Sequence, residues 1–185
     1  MAEITITQKV ADLQAVFDKV KRVFYNTATN LNISTLATID YELPIVEDSF
    51  NFDGGAASIS TIKLTTGQKW ASYVTAGDPD ITMQVVSLDD DIAGLFMTAM
   101  GAPIASTTNT LGGKSFSGQG YSSGTKKVTG SLILASEDGT RLVALPNVEM
   151  FANPVIASGT PAYFNVQIIP KPNQGGADII LLAGA

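Results

Sequence analysis

Apolar residues recur along this chain at two different periods, and the switch between them organises it. Val10, Leu13, Val16, Phe17, Val20, Val23 and Phe24 follow one another at three- and four-residue steps. That single apolar stripe predicts a helix over about residues 8–25. Lys19, Lys21 and Arg22 gather toward its C-terminal end, where the helix dipole favours cations. From Ile33 the period becomes two. Ile33, Thr35, Ala37, Ile39, Tyr41 and Leu43 fall on one side, with Ser34, Thr38, Asp40 and Glu42 mostly opposite. This predicts a half-buried strand with a wet, acidic face. Asp53-Gly54 marks a turn between a strand ending near Phe52 and another over about 57–65. Thr66-Gly67-Gln68 interrupts the run before a strand at Trp70–Thr75. On a regular strand Trp70 and Tyr73 take opposite faces, so one of them must meet a second layer or a partner.

The segment 77–101 is the most informative stretch. Gly77-Asp78-Pro79-Asp80 turns the chain into a strand, 81–86, where Ile81, Met83 and Val85 alternate with Thr82 and Gln84. Ser87 is a good N-cap, and Asp89, Asp90 and Asp91 put carboxylates in the first turn of a helix. Ile92, Leu95, Phe96, Ala99 and Met100 share one face, and Gly101 with Pro103 supplies the stop, so the helix is expected over 87–100. Residues 102–127, rich in Gly, Ser and Thr, carry no period and predict a long mobile loop. Strands return at Val128–Ser136 and Thr140–Leu145, flanking the hairpin signal Glu137-Asp138-Gly139. Val148–Phe151, Tyr163–Ile169 and Ile179–Leu182 add three more. The expected fold is mainly β, a small antiparallel barrel or sandwich, with one helix at 87–100 and another at 8–25.

Composition sharpens this only slightly. At 185 residues and 45% hydrophobic content the chain fits one domain with a real core. No apolar run approaches the roughly 20 residues that span a bilayer. The opening Met1-Ala2-Glu3-Ile4-Thr5 lacks the basic and apolar regions of a secretory signal, so a cytoplasmic origin is the default expectation. With no cysteine there is no disulfide, and a small domain working outside a cell would need oligomerisation or a large core to persist. Residues 40–100 hold ten acids against Lys63 and Lys69, a local charge of −8 in a chain of net −6. This argues against nucleic-acid binding, which needs cations that release phosphate counterions. It suits a surface that nucleic acid passes without adhering, and equally an acidic solubilising face.

Candidate chemistry is sparse. Gly120-Tyr121-Ser122-Ser123-Gly124 has the spacing of a nucleophile elbow, but the chain has no histidine to accept the serine proton. A serine–lysine pairing with Lys126 or Lys127 is required by nothing in the spacing. Leu111-Gly112-Gly113-Lys114-Ser115 ends like a phosphate loop, yet Thr108 stands where its first glycine belongs. Gly118-Gln119-Gly120 begins a dinucleotide fingerprint that Ser123 breaks. Asp78, Asp80 and Asp89–Asp91 lack the Asp-x-Asp-x-Asp-Gly spacing of a calcium loop, and helix-start electrostatics already account for the second group. Without His or Cys, transition-metal sites are close to excluded. Paired carboxylates for glycoside hydrolysis come with no cluster of substrate-stacking aromatics. Asn32-Ile33-Ser34 matches a glycosylation sequon without a secretion signal. No catalytic, cofactor or metal site is expected.

The order of elements, rather than any one motif, resembles bacteriophage tail tube proteins and the related tubes of type VI secretion. An early strand at 33–43, turns and a hairpin, the step Gly77-Asp78-Pro79-Asp80 into strand and helix, a long loop, and C-terminal strands run in that order over residues 30–185. The helix at 8–25 departs from the pattern and leaves another ring or tail component open. The resemblance implies a barrel domain at 31–185 that closes into hexameric rings. It also implies stacking of those rings into a virion tube contacting sheath, baseplate or terminator proteins, and synthesis in the host bacterial cytoplasm. DNA, or an effector in an injection device, would pass through the lumen unbound. Asp40 and Glu42 are then lumen candidates, while residues 1–30 and 102–127 would contact neighbouring rings. A β-sandwich binding module, such as an adhesin or receptor-binding domain, is the competing expectation, with a hydrolase third.

Overall fold

The structure is a computed structural model and describes residues 16–106 and 112–184. Its frame is an antiparallel sheet of eight strands in the order β2-β1-β9-β10-β11-β6-β3, with β12 pairing β10 beside β11. In chain order these strands are β1 (Val20–Asn26), β2 (Tyr41–Leu43), β3 (Asn51–Asp53), β6 (Asp80–Val85), β9 (Lys127–Ser136), β10 (Arg141–Val155), β11 (Tyr163–Pro170) and β12 (Ile180–Ala183). Two hairpins stand outside it: β4 (Ser58–Lys63) with β5 (Lys69–Thr75), and β7 (Thr98–Ile104) with β8 (Gly118–Ser122). The helix α1 spans Asp90–Phe96.

Alternation along the strands makes the core. Val23 and Tyr25 of β1, Ile81, Met83 and Val85 of β6, Val148 and Met150 of β10, and Phe164, Val166 and Ile168 of β11 are buried on one concave face. Each such side chain contributes roughly 1.5–3 kcal/mol on burial. Phe96 of α1 covers this face, its ring 5.4 Å from that of Phe164. On the convex face Ile133 and Ala144 are covered by Leu31, with Ile33 and Leu36 beside it. The middle of the sheet is therefore buried on both sides, which explains the continuous apolar run Leu132–Ala135 in β9. The sheet curls until the chain just after β2 reaches β6. Val46 N donates to Gln84 O at 2.9 Å and Val86 N to Pro44 O at 2.8 Å, around a lone bridge between Ile45 and Val85. One bridge is not a continuous ladder, so the roll is not a closed barrel.

The mainly β, antiparallel fold with one helix is as expected, but several elements differ. Residues 20–25, expected at the end of an N-terminal helix, form β1 between β2 and β9, and residues 1–15 lie outside the described residues. Val and Phe at alternating positions serve either period, and pairing with β9 decides for the strand. The strand expected over 33–43 is a 3₁₀ turn at Ile33–Thr35, capped by the Asn32 side chain accepting from Ser34 N, and then β2 at Tyr41–Leu43. The helix expected at 87–100 is shorter. Asp89 rather than Ser87 is its N-cap, and it ends at Phe96, where the chain becomes extended at Met97 and enters β7; Lys126 Nζ donates to the carbonyls of Gly94 (2.6 Å) and Met97 (3.3 Å) at that end. Ala99 and Met100 then pair with Tyr121 and Gly120 in the β7–β8 hairpin. That hairpin also takes residues 102–104 and 118–122 out of the loop expected at 102–127, of which 107–111 lie outside the described residues. The strands expected at 140–145 and 148–151 are one strand, β10. Its Pro146 and Asn147 sit in a register shift, where a proline breaks no ladder bond.

The β9–β10 turn is held by Asp138. Its carboxylate accepts from Ser136 Oγ (2.5 Å), Thr140 Oγ1 (2.7 Å) and Thr140 N (3.0 Å). These donors hold its pKa down at about 2. A depressed carboxyl contributes stability above its unfolded value, near 4, and that contribution is lost as pH falls through about 2. Asp138→Asn is therefore expected to lower the melting temperature at pH 7. The gap to the parent should close between pH 4 and pH 2; a gap that stays constant over this window would show that the turn does not depend on the charge.

Candidate functional site

The residues of the candidate motifs each have local partners or places in the fold. Ser122 ends β8, and its Oγ accepts from Gly124 N at 3.2 Å. Lys126 caps α1, and Lys127 Nζ is bonded to Glu149 Oε1 at 2.6 Å, so neither lysine is paired with that serine. Gly112 and Gly113 turn the chain with positive φ ahead of β8, and no helix follows them. Asp89–Asp91 start α1, while Asp80 opens β6. Among the described residues no three metal-ligating side chains gather, and no helix is long and apolar enough to cross a membrane.

Asp40 and Glu42 both have partners within the chain. Asp40 Oδ2 accepts from Thr27 N (2.8 Å) and Thr27 Oγ1 (2.6 Å), tying the end of β1 to the start of β2. These donors lower its pKa, Thr27's hydroxyl most. Glu42 takes a two-pronged contact from Arg22, at 2.6 and 2.8 Å, which lowers its pKa and neutralises its charge locally. The guanidinium also lies 4.7 Å from the centre of the Phe24 ring. The acids of 40–100 are spread over β2, the turn at Glu47-Asp48, the end of β3 and the start of α1, and do not line one strand face.

What stands out is the β4–β5 hairpin, here called the arm. Every residue of both strands is exposed. Ile59 pairs with Val74 and Ile62 with Ala71, while Tyr73 faces Ser60. Successive pairs point to opposite sides, so both faces of the arm carry apolar groups. Trp70 is 68% exposed and Tyr73 56%, and a register shift beside Ile62 breaks the regular alternation. Neither ring meets a second layer among the described residues. A protein seldom leaves an indole, a phenol and three β-branched side chains together in water unless a partner covers them. At the arm's base Gly77 passes against Gly55 and Ala56, where an added Cβ would lie 2.6 Å from Ala56 O. Two backbones in contact pinch the arm off from the roll. The sequence signal for this was present but unused: glycines at 54, 55 and 77 bracket a stretch without a single acid.

A second feature is an apolar mouth at the open part of the roll, a cavity of about 560 Å³. Phe17 and Val20 enter from the segment before and into β1, Phe50 and Phe52 from β3 and its approach, and Ile179 and Leu181 from β12 and the residue before it. Leu181 is 77% exposed. Among the described residues β3 and β12 each have one neighbour in the sheet, so each offers an edge that no described strand pairs. Comparison of the chain with protein-family models, with curated proteins and with solved structures returned no match.

Proposed function

We propose that this chain is a structural subunit that binds copies of itself, closing into rings that stack as a tube of the phage tail type. The observation that carries this reading is the arm, an acid-free hairpin with apolar groups on both faces and no partner among the described residues. Open edges on β3 and β12 support it further, since an unpaired strand edge either joins a neighbour or invites aggregation. Tail sheath, baseplate or terminator proteins are the further partners of such a tube, and DNA its cargo. A tube of a contractile injection device would use the same contacts. The adhesin-type module is less well supported, because the exposed rings stand on a hairpin whose apolar residues face both ways rather than in one recognition patch.

The test is sedimentation and negative-stain imaging of purified protein over a concentration series. Rings or tubes that dissociate on dilution are expected; a monomer at every concentration overturns the proposal. Lysine at both Asp40 and Glu42 addresses the lumen. Tubes should still form while DNA ejection slows, because cations facing the duplex would retard it. The single change Glu42→Gln should matter less, since Arg22 already offsets that charge. Unchanged ejection in the double variant would remove both residues from the lumen.

A further inference from the structure

We propose that the arm of one copy seats in the apolar mouth of the next. This rests on the self-assembly reading and adds to it the specific pair of surfaces that meet. The two are complementary in three respects. The arm offers apolar side chains that no described residue covers, and the mouth is a concave apolar surface flanked by the open edges of β3 and β12. A hairpin laid against such an edge gains main-chain hydrogen bonds as well as side-chain burial.

Charge is the second respect. Lys63 and Lys69 sit directly opposite one another on the arm, and no acid lies between Ser58 and Thr75. The arm thus carries +2 and the remainder of the chain −8. Like charges facing across a hairpin cost stability unless anions approach them. Asp18 lines the mouth, and Glu47 and Asp48 line the cavity that adjoins it through Lys19 and Val20. Among the described residues none of these three acids forms an ion pair, whereas the nearby Lys19 and Lys21 are both engaged by Glu137. Glu47 and Asp48 act on Lys19 only from beyond contact distance, so three carboxylates without a contact ion pair are placed to meet the two ammonium groups of the arm.

The third respect is geometric. The arm leaves the sheet just past β3, whose Phe52 forms part of the mouth, yet no arm strand residue is buried, so the arm does not fill its own mouth. One arm and one mouth on each copy make a head-to-tail contact, which propagates and closes into a ring or continues as a stack.

The native chain has no cysteine, so single thiols report proximity cleanly. Ser72→Cys marks the arm, Leu181→Cys the rim of the mouth, which its exposed side chain lines, and Ser34→Cys the convex face as a control. Copies carrying different tags are mixed and treated with a short bis-maleimide, with sedimentation run in parallel. Arm-to-rim product exceeding arm-to-control product at least tenfold is the expected result. Assembly with equal cross-linking to rim and control overturns the pairing but leaves self-assembly standing. Failure to assemble overturns both. A rim thiol that reacts within one chain with a cysteine placed at Ile6 assigns the mouth to the chain's own first residues and overturns the pairing. The charge argument is tested separately. Lys63→Glu with Lys69→Glu should raise the concentration for half-assembly at least tenfold at low salt, and an unchanged value overturns it.

Discussion

Replacing Gly130 with alanine is expected to cost about 3 kcal/mol or more of stability, at the upper end of what overpacking a core does. Gly130 lies in β9 where Tyr25 crosses it. A Cβ there would collide with the backbone carbonyl of Asn26 and with the Tyr25 ring. Neither can give way easily. The Asn26 carbonyl belongs to β1, which is paired to β9 in register, and the ring is fixed by its hydroxyl donating to Thr129 O at 2.8 Å. Tyr25 is 1% exposed, and burial above all pushes its hydroxyl up to about 12, so the donor stays protonated across the working range. Making room means parting β1 from β9 at the centre of the sheet. A drop in melting temperature of roughly 10 °C follows for a chain of this size. Gly139→Ala is the control. It has open space around it but a φ of 71°, so only backbone strain of about 1 kcal/mol is expected. Equal effects from the two substitutions would show that Tyr25 moves aside freely.

Excising the arm should do the reverse, leaving the fold intact and abolishing assembly. Residues 58–75 supply no buried side chain, and their base is already closed by the contact of Gly55 and Ala56 with Gly77. Joining Ala57 to Ala76 through a short glycine linker therefore spans little distance and removes nothing from the core. The melting temperature of the dilute protein should stay within about 2 °C, while half-assembly moves up in concentration by two orders of magnitude or more. That corresponds to about 2.8 kcal/mol per contact, within reach of a few aromatic and aliphatic anchors. Assembly that survives the excision would place the self-contact elsewhere and remove the main support for a tube subunit. A large loss of melting temperature would instead reveal that the arm packs on its own chain.

Much of the sheet was legible because alternation and turn chemistry agree locally. The strand at 81–86, the Asp138-Gly139 hairpin, and the strands at 128–136 and 163–169 each carry their own period and their own punctuation, so propensity and tertiary pairing point the same way. The acids after Ser87 likewise announced a helix start, and the structure keeps it, shifted to an Asp89 cap.

The candidate site was less legible. That Trp70 or Tyr73 needed a partner followed from the sequence; that neither finds one among the described residues did not. The mouth, gathered from residues as far apart as Phe17 and Leu181, has no local signal at all.

Sequence alone determined the antiparallel β class, the lack of histidine and cysteine chemistry, and the acidic balance, because these depend on composition and on periods a few residues long. Tertiary structure decided where those periods were ambiguous. Val20–Asn26 became a strand because β9 offered an edge, and α1 gave way after Phe96 to β7, which pairs with the distant β8. Pro146 could stay inside β10 because a register shift left no bond for it to break. Each outcome turned on a hydrogen-bonding partner many residues away, and no window of neighbouring residues contains that partner.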